Sequence, residues 1–312
     1  MSAEIFSEVA FARGAGFGNR LFPWARCRLF SRRYGLRMLA PAWTQWRVGP
    51  LLRGGVDLLS YPRQILLMGL FNGDNYVDGT ARAWLAATAP RVAEPPHWTD
   101  WRESSVSRNT IVRFAGYGNL FGDFLEHRET LLKELRTDAR PRWLKVADAM
   151  AAPVALNVRC GRDFRQAKNP QEYFNAGALR TPLSWFVRSL EFVRRAAGGP
   201  IPAVVVSDGT ADELVELLRL PNVTFARPGC AISDLLVLSH ARVLIGSGGS
   251  SFSAWAAFLS GAPSLTHPGQ SLRWFRVGTP DGPFVGDVDP DRPPEGLEAE
   301  IDRAVHRSVE AN

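Results

Sequence analysis

Five short stretches of the 312-residue chain carry residue types and spacings suited to chemistry. In "GSGGSSFS" (246–253), glycine lets backbone approach closely, while serine hydroxyls and free N–H groups at a helix start can bind an anion. Ser250 and Ser251 stand either as helix caps or as phosphate donors, and two glycines before two serines are more than a cap needs. In "LNVRCGRDF" (156–164), Arg159 stands at the carboxyl end of an apolar strand, where a guanidinium can clamp a diphosphate. Asp163 would orient Arg159, act as a base, or form a plain surface ion pair with it. "VVVSDG" (204–209) puts Asp208 at another strand end, as a ribose or base contact or as a turn aspartate. Asp234 opens "DLLVLSHA", where an acid ordinarily complements a helix dipole. "GAGFGNR" (14–20) demands close backbone approach, which suits a sugar, but Asn19 stands where a dinucleotide fingerprint needs its third glycine.

The elements that must position these residues are clearest in the second half. "PVALNVR" reads as a strand, followed by a helix capped by Thr181 with Pro182 at its first position. "IPAVVVS" is a strand, and Thr210 and Glu213 form a capping-box pattern at the next helix. "NVTFA" and "RVLIG" are strands around a short helix over "SDLLVLSHA"; Phe252, Trp255, Ala256 and Leu259 then recur at helical spacing. The first half repeats the theme with a strand at 5–12, a helix at 20–34, a strand in "LRMLAP", another in "NTIVRFAG" and a helix from about 122 to 136. Residues 41–105 give no reliable elements, and the tail after 277 reads as loop with a last helix at 295–309. Strands alternating with helices imply an α/β fold of parallel sheets: two Rossmann-like domains with a cleft between them and a boundary near 140–152.

Composition narrows the function classes. Hydrophobic content of 46% and charged content of 22% are those of a globular protein. No apolar run approaches the roughly 20 residues that span a bilayer, and the N-terminus does not read as a signal peptide. Three scattered cysteines fit a reducing compartment, hence a cytoplasmic expectation. The net charge of +6 is carried almost wholly by arginine, since only Lys133, Lys145 and Lys168 are lysines. That bias suits phosphate or carboxylate ligands. No basic run or recognised motif points to nucleic acid. The basic helix bearing Arg26, Arg28, Arg32 and Arg33 reads first as a solvated face and second as a peripheral contact with anionic membrane. The histidines are isolated, and the Asp-x-Asp of "DVDPD" (287–291) lies in a proline-rich tail, so no metal is expected.

Four stretches, in this order, resemble the GDP-fucose-dependent fucosyltransferases, and most closely the bacterial α-1,2-fucosyltransferases of glycosyltransferase family 11: "GAGFGNRLFPWA", "GYGNLFGDFLEHRETLLKEL", "NVRCGRDF" and "SDLLVLSHARVLIGSGGSSFSAWAAFL". The resemblance implies a GT-B-like fold with an acceptor-side domain (1–148) and a donor domain (149–312) whose last helix packs back on the first. It implies inverting transfer from a GDP-sugar to a glycan hydroxyl, lipid-linked acceptors included, without metal. Carried over, Arg159 and Asn157 would face the diphosphate, Asp208 and Asp234 the nucleoside, and Ser250, Ser251, Phe252 and Ser253 would add hydroxyl and backbone contacts. Gly18 and Asn19 would face the sugar, with Asp163 or Glu172 as base. Asn157 and Cys160 replace a family histidine and arginine, and the "GRD" spacing is closer to protein O-fucosyltransferases. An NAD(P)-linked oxidoreductase and a catalytically silent nucleotide- or sugar-binding homologue are the competing readings.

Overall fold

The computed structural model describes residues 4–41, 43, 76–101, 109–161, 163–175, 178–226 and 230–307. The chain divides into two units, 1–140 and 141–312.

In the first unit, β1 (Phe6–Ala10) leads into α1 (Phe17–Tyr34) and β2 (Arg37–Leu39). β3 (Tyr76–Val77), α2 (Gly79–Thr88), β4 (Arg91–Ala93), β5 (Ile111–Ala115) and α3 (Arg128–Asp138) follow. The strands form a parallel sheet in the order β3-β2-β1-β5-β4, with Phe6 opposite Ile111 and Ala10 opposite Ala115. α1 ends because Gly35 turns left-handed at φ 63° and returns its N–H to the Ser31 carbonyl. The expected basic face on α1 is corrected: Arg26 and Arg28 are buried. Arg26 pairs with Glu94 at 2.8 Å and Arg28 with Glu134 at 2.5 Å, because a buried guanidinium needs a carboxylate partner. Of the four arginines, only Arg32 and Arg33 stay exposed, and Arg32 also pairs with Glu134. The predicted helix from 122 gives way to 3-10 turns before α3 begins at Arg128.

The second unit contains α4 (Pro141–Ala149), β6 (Val154–Val158), α5 (Leu183–Ala196), β7 (Ala203–Ser207), α6 (Val215–Leu218), β8 (Val223–Ala226), α7 (Ala231–Ser239) and β9 (Val243–Gly246). α8 (Ser251–Ser260), β10 (Ser264–Thr266), β11 (Val285–Asp287) and α9 (Leu297–His306) complete it. Its six strands are parallel in the order β11-β10-β9-β6-β7-β8, the Rossmann order, so the direction of strand addition reverses between β6 and β9. β6 is apolar and buried throughout apart from one polar residue, Asn157, as a central parallel strand must be.

The division between the units falls at 140/141, and α4 belongs to the second because it packs on α7 and His240 bonds Asp148 at 3.0 Å. Leu297, Ile301, Ala304 and Val305 of α9 join the core of the second unit. Thr181 does not cap α5; its hydroxyl donates to Gln270 at 2.8 Å, and Pro182 takes the cap position. The tail supplies a sixth strand, β11, whose Asp287 accepts from Thr266 Oγ1 at 3.2 Å and Gly269 N at 3.0 Å. No helix among the described residues is long and apolar enough to cross a membrane.

Candidate functional site

Three strand ends, those of β9, β6 and β7, are neighbours in the second sheet, and each carries polar residues just past its last apolar one. Past β6, Arg159 meets two carboxylates: Nη2 pairs with Asp163 Oδ2 at 2.9 Å and with Asp208 Oδ2 at 3.2 Å. The guanidinium lies 5.0 Å over the Phe164 ring, a cation–π distance, and its buried Nε has no hydrogen-bond partner among the described residues. Asp208, past β7, also accepts the Cys160 N–H at 2.7 Å, so one carboxylate links two strand ends. The loops meet closely: a Cβ on Gly161 would come within 2.5 Å of Asp208 Oδ2, and one on Gly209 within 2.8 Å of Cys160 Sγ, so either side chain would have to shift.

Past β9, most of the glycine-serine turn answers to protein neighbours. Ser247 accepts the Arg159 N–H at 2.9 Å. Gly248 faces the Gln270 backbone so closely that no Cβ fits, and Gly249 sits at φ 66°. Ser250 caps α8 by accepting the Ser253 N–H at 3.3 Å. Buried Ser253 accepts from Asn157 Nδ2 at 2.8 Å, tying the centre of β6 to the first turn of α8. Neither the N–H nor the hydroxyl of half-buried Ser251 has a hydrogen-bond partner among the described residues. Half-buried Phe252 follows it in the first turn of α8.

Asp234 lies in the first turn of α7, half-buried, and no donor among the described residues bonds its carboxylate. Burial first, and then the charge of Asp208, push it up from 3.8 to about 7. A buried, reluctantly ionised acid with no donor among the described residues is a place where a ligand's N–H donors would be favoured.

No family model matches the sequence, and no curated protein is significantly similar to it. Solved structures are. The chain resembles POFUT1 in complex with GDP, at 12% identity and TM-score 0.47 over 85% of this chain and 98% of that one. It resembles the fucosyltransferase NodZ from Bradyrhizobium, at 15% and 0.48 over 84% and 95%. A mutant of Arabidopsis thaliana FUT1 in complex with GDP gives 11% and 0.44 over 85% and 70%. These likenesses are distant, and the chemistry of the site rests on the residues themselves.

Most of the expected residues of the second unit therefore converge: Asn157, Arg159, Asp163, Asp208, Ser250 and Ser253 share one network, with Asp234 coupled to Asp208. Glu172 stands apart. Arg165 grips its carboxylate with both Nη atoms, at 2.9 and 3.2 Å, and the Lys168 N–H adds a third bond. These partners hold Glu172 below its ordinary carboxylate range, which unsuits it as a base. Gly18 and Asn19 open α1 in the first unit, past the end of β1. The glycine loop before them is braced by Arg20, whose Nε donates to the Ala15 carbonyl at 3.1 Å. Arg162 lies outside the described residues. Ser247 and Arg180 were not singled out from sequence; their partners stand 88 and 20 residues away, a range over which local patterns give no signal.

Proposed function

We propose that the chain is a glycosyltransferase that moves a sugar, fucose by the resemblance of its motifs, from a GDP-sugar to a glycan hydroxyl. The observation that carries this reading is topological. The Arg159 loop follows β6, the glycine-serine turn follows β9, and the strand order reverses between those two neighbours. Open parallel sheets bind nucleotides outside the carboxyl ends of their strands at such a reversal.

In this reading the Asp234 carboxylate accepts from the N–H groups of the guanine edge, and Arg159 holds the β-phosphate. Asp163, two-thirds exposed on its side chain, occupies the guanidinium edge that a phosphate would take, and leaves it cheaply because exposed ion pairs contribute little. Asp208 stays, anchored by the Cys160 N–H. The departing diphosphate is neutralised by Arg159 together with Ser251 and the N-terminus of α8, so that transfer with inversion needs no metal. Once displaced from Arg159, Asp163 is the candidate base for the acceptor hydroxyl.

Thermal-shift titration with GDP, UDP, ADP and NADP tests the reading, followed by hydrolysis and transfer assays with GDP-sugars. GDP alone should stabilise, by about 2.7 kcal/mol at a hundred times its Kd, and Arg159→Ala should abolish the effect. Stabilisation by NADP alone would sink the proposal in favour of an oxidoreductase. GDP binding with no turnover of any GDP-sugar would reduce it to a silent nucleotide-binding protein.

A further inference from the structure

We infer that Arg180 is a positioning residue for Arg159, setting the guanidinium that the nucleotide reading assigns to the β-phosphate; the inference rests on that reading. Arg180 belongs to no motif. It lies before α5, and its fork reaches three groups. Nη2 donates to the Cys160 carbonyl, Nε donates to the Phe164 carbonyl at 3.1 Å, and Nη1 pairs with Glu213 at 3.3 Å.

Both carbonyls lead back to Arg159, by separate routes. Cys160 follows Arg159 in the chain; its N–H donates to Asp208, and Asp208 pairs with Arg159. The Cys160 residue is thus gripped from both sides, N–H by a carboxylate and C=O by a guanidinium. Phe164 supplies the ring beneath the Arg159 guanidinium, and Arg180 fixes the backbone that carries that ring. The anchor itself is held. Glu213 exchanges bonds with the backbone N–H and hydroxyl of Thr210, and the Arg180 N–H donates to the Arg165 carbonyl at 2.8 Å. A planar fork of five donors can satisfy two carbonyls and a carboxylate at once, which a lysine ammonium cannot do from the same stem.

A loop staple with no bearing on Arg159 would weaken every nucleotide alike. A positioning residue weakens only what Arg159 holds. The test is calorimetric titration of the whole chain with GDP and with GMP, for the native protein, Arg180→Met, Arg159→Ala and the double variant. Arg180→Met should weaken GDP roughly tenfold while leaving GMP within about twofold, and should add nothing in the Arg159→Ala background. If Arg180→Met does not fold, Arg180→Lys, which keeps the cation and stem, should show the same GDP-selective loss. Equal losses for GDP and GMP, or losses that add to those of Arg159→Ala, would overturn the inference and leave the nucleotide reading intact. A native protein that binds no GDP would remove the nucleotide reading and this inference with it.

Discussion

Arg159 has one positive charge between two carboxylates, while Asp234 is a reluctantly ionised acid with no donor among the described residues, and this contrast defines the residue-scale chemistry. Asp234 makes a prediction with a definite sign. Its folded-state pKa of about 7 lies above the ordinary 3.8, so ionisation is penalised in the folded protein. The penalty is full above pH 7 and fades as pH falls through 7 towards 4. Asp234→Asn should therefore stabilise the protein at pH 8, by about 1–3 kcal/mol after allowance for partial exposure, and leave it nearly unchanged at or below about pH 4. Urea unfolding at the two pH values reads this directly. A guanine edge needs the ionised carboxylate, so GDP affinity should fall from pH 8 to pH 6 in the native protein. In Asp234→Asn the slope should vanish, along with discrimination of GDP from ADP. A pH-independent native affinity would show that Asp234 does not meet the base.

The glycine-serine turn is the element where composition and role differ most. Its serines look surplus to a helix cap, yet Ser247 holds the Arg159 N–H, Ser250 caps α8 and Ser253 receives Asn157. Asn157 accordingly braces β6 against α8 through its bond to Ser253. The reciprocal bonds of Thr210 and Glu213 were legible because the partners are three residues apart, but they close a turn before α6, whose cap position is taken by Leu214. Gly248→Ala should be severe: the added carbon would collide with the Gln270 backbone, which cannot swing aside as a side chain can. Thermal melts should show a loss of roughly 1–3 kcal/mol or more, with GDP stabilisation lost as the turn shifts. Ser250→Ala should cost less, about 1 kcal/mol, as a lost cap does. If the two substitutions behaved alike, the close approach of Gly248 to Gln270 would not be what fixes the turn.

At the scale of the molecule, each unit has its own parallel sheet, and the second is closed by its last helix. Ile301 of α9 is fully buried against the core that backs the sheet. Ile301→Ala should destabilise the chain by about 2–4 kcal/mol in denaturant unfolding. At temperatures where the variant stays folded, its GDP affinity should match the native protein's, because Ile301 belongs to the core and bonds no residue of the site. A change smaller than about 0.5 kcal/mol would show that α9 merely rests on the unit.

Periodicity alone determined that the chain is α/β with parallel strands, and that polar residues cluster just past several strand ends. Those signals are local, since a buried strand, an amphipathic helix and a cap each declare themselves within a few residues. The tertiary structure decided which strand ends are neighbours. Strand order follows from how sheet edges pair and which faces pack, so β9 comes to lie beside β6 although three helices and two strands separate them in the chain. Only that pairing brings Asn157 to Ser253, and the pairing of β6 with β7 brings Asp208 to Arg159. The buried pairing of Arg26 and Arg28 was hidden for the same reason: their carboxylates lie far along the chain, and whether a basic helix faces solvent or protein is settled by what packs against it.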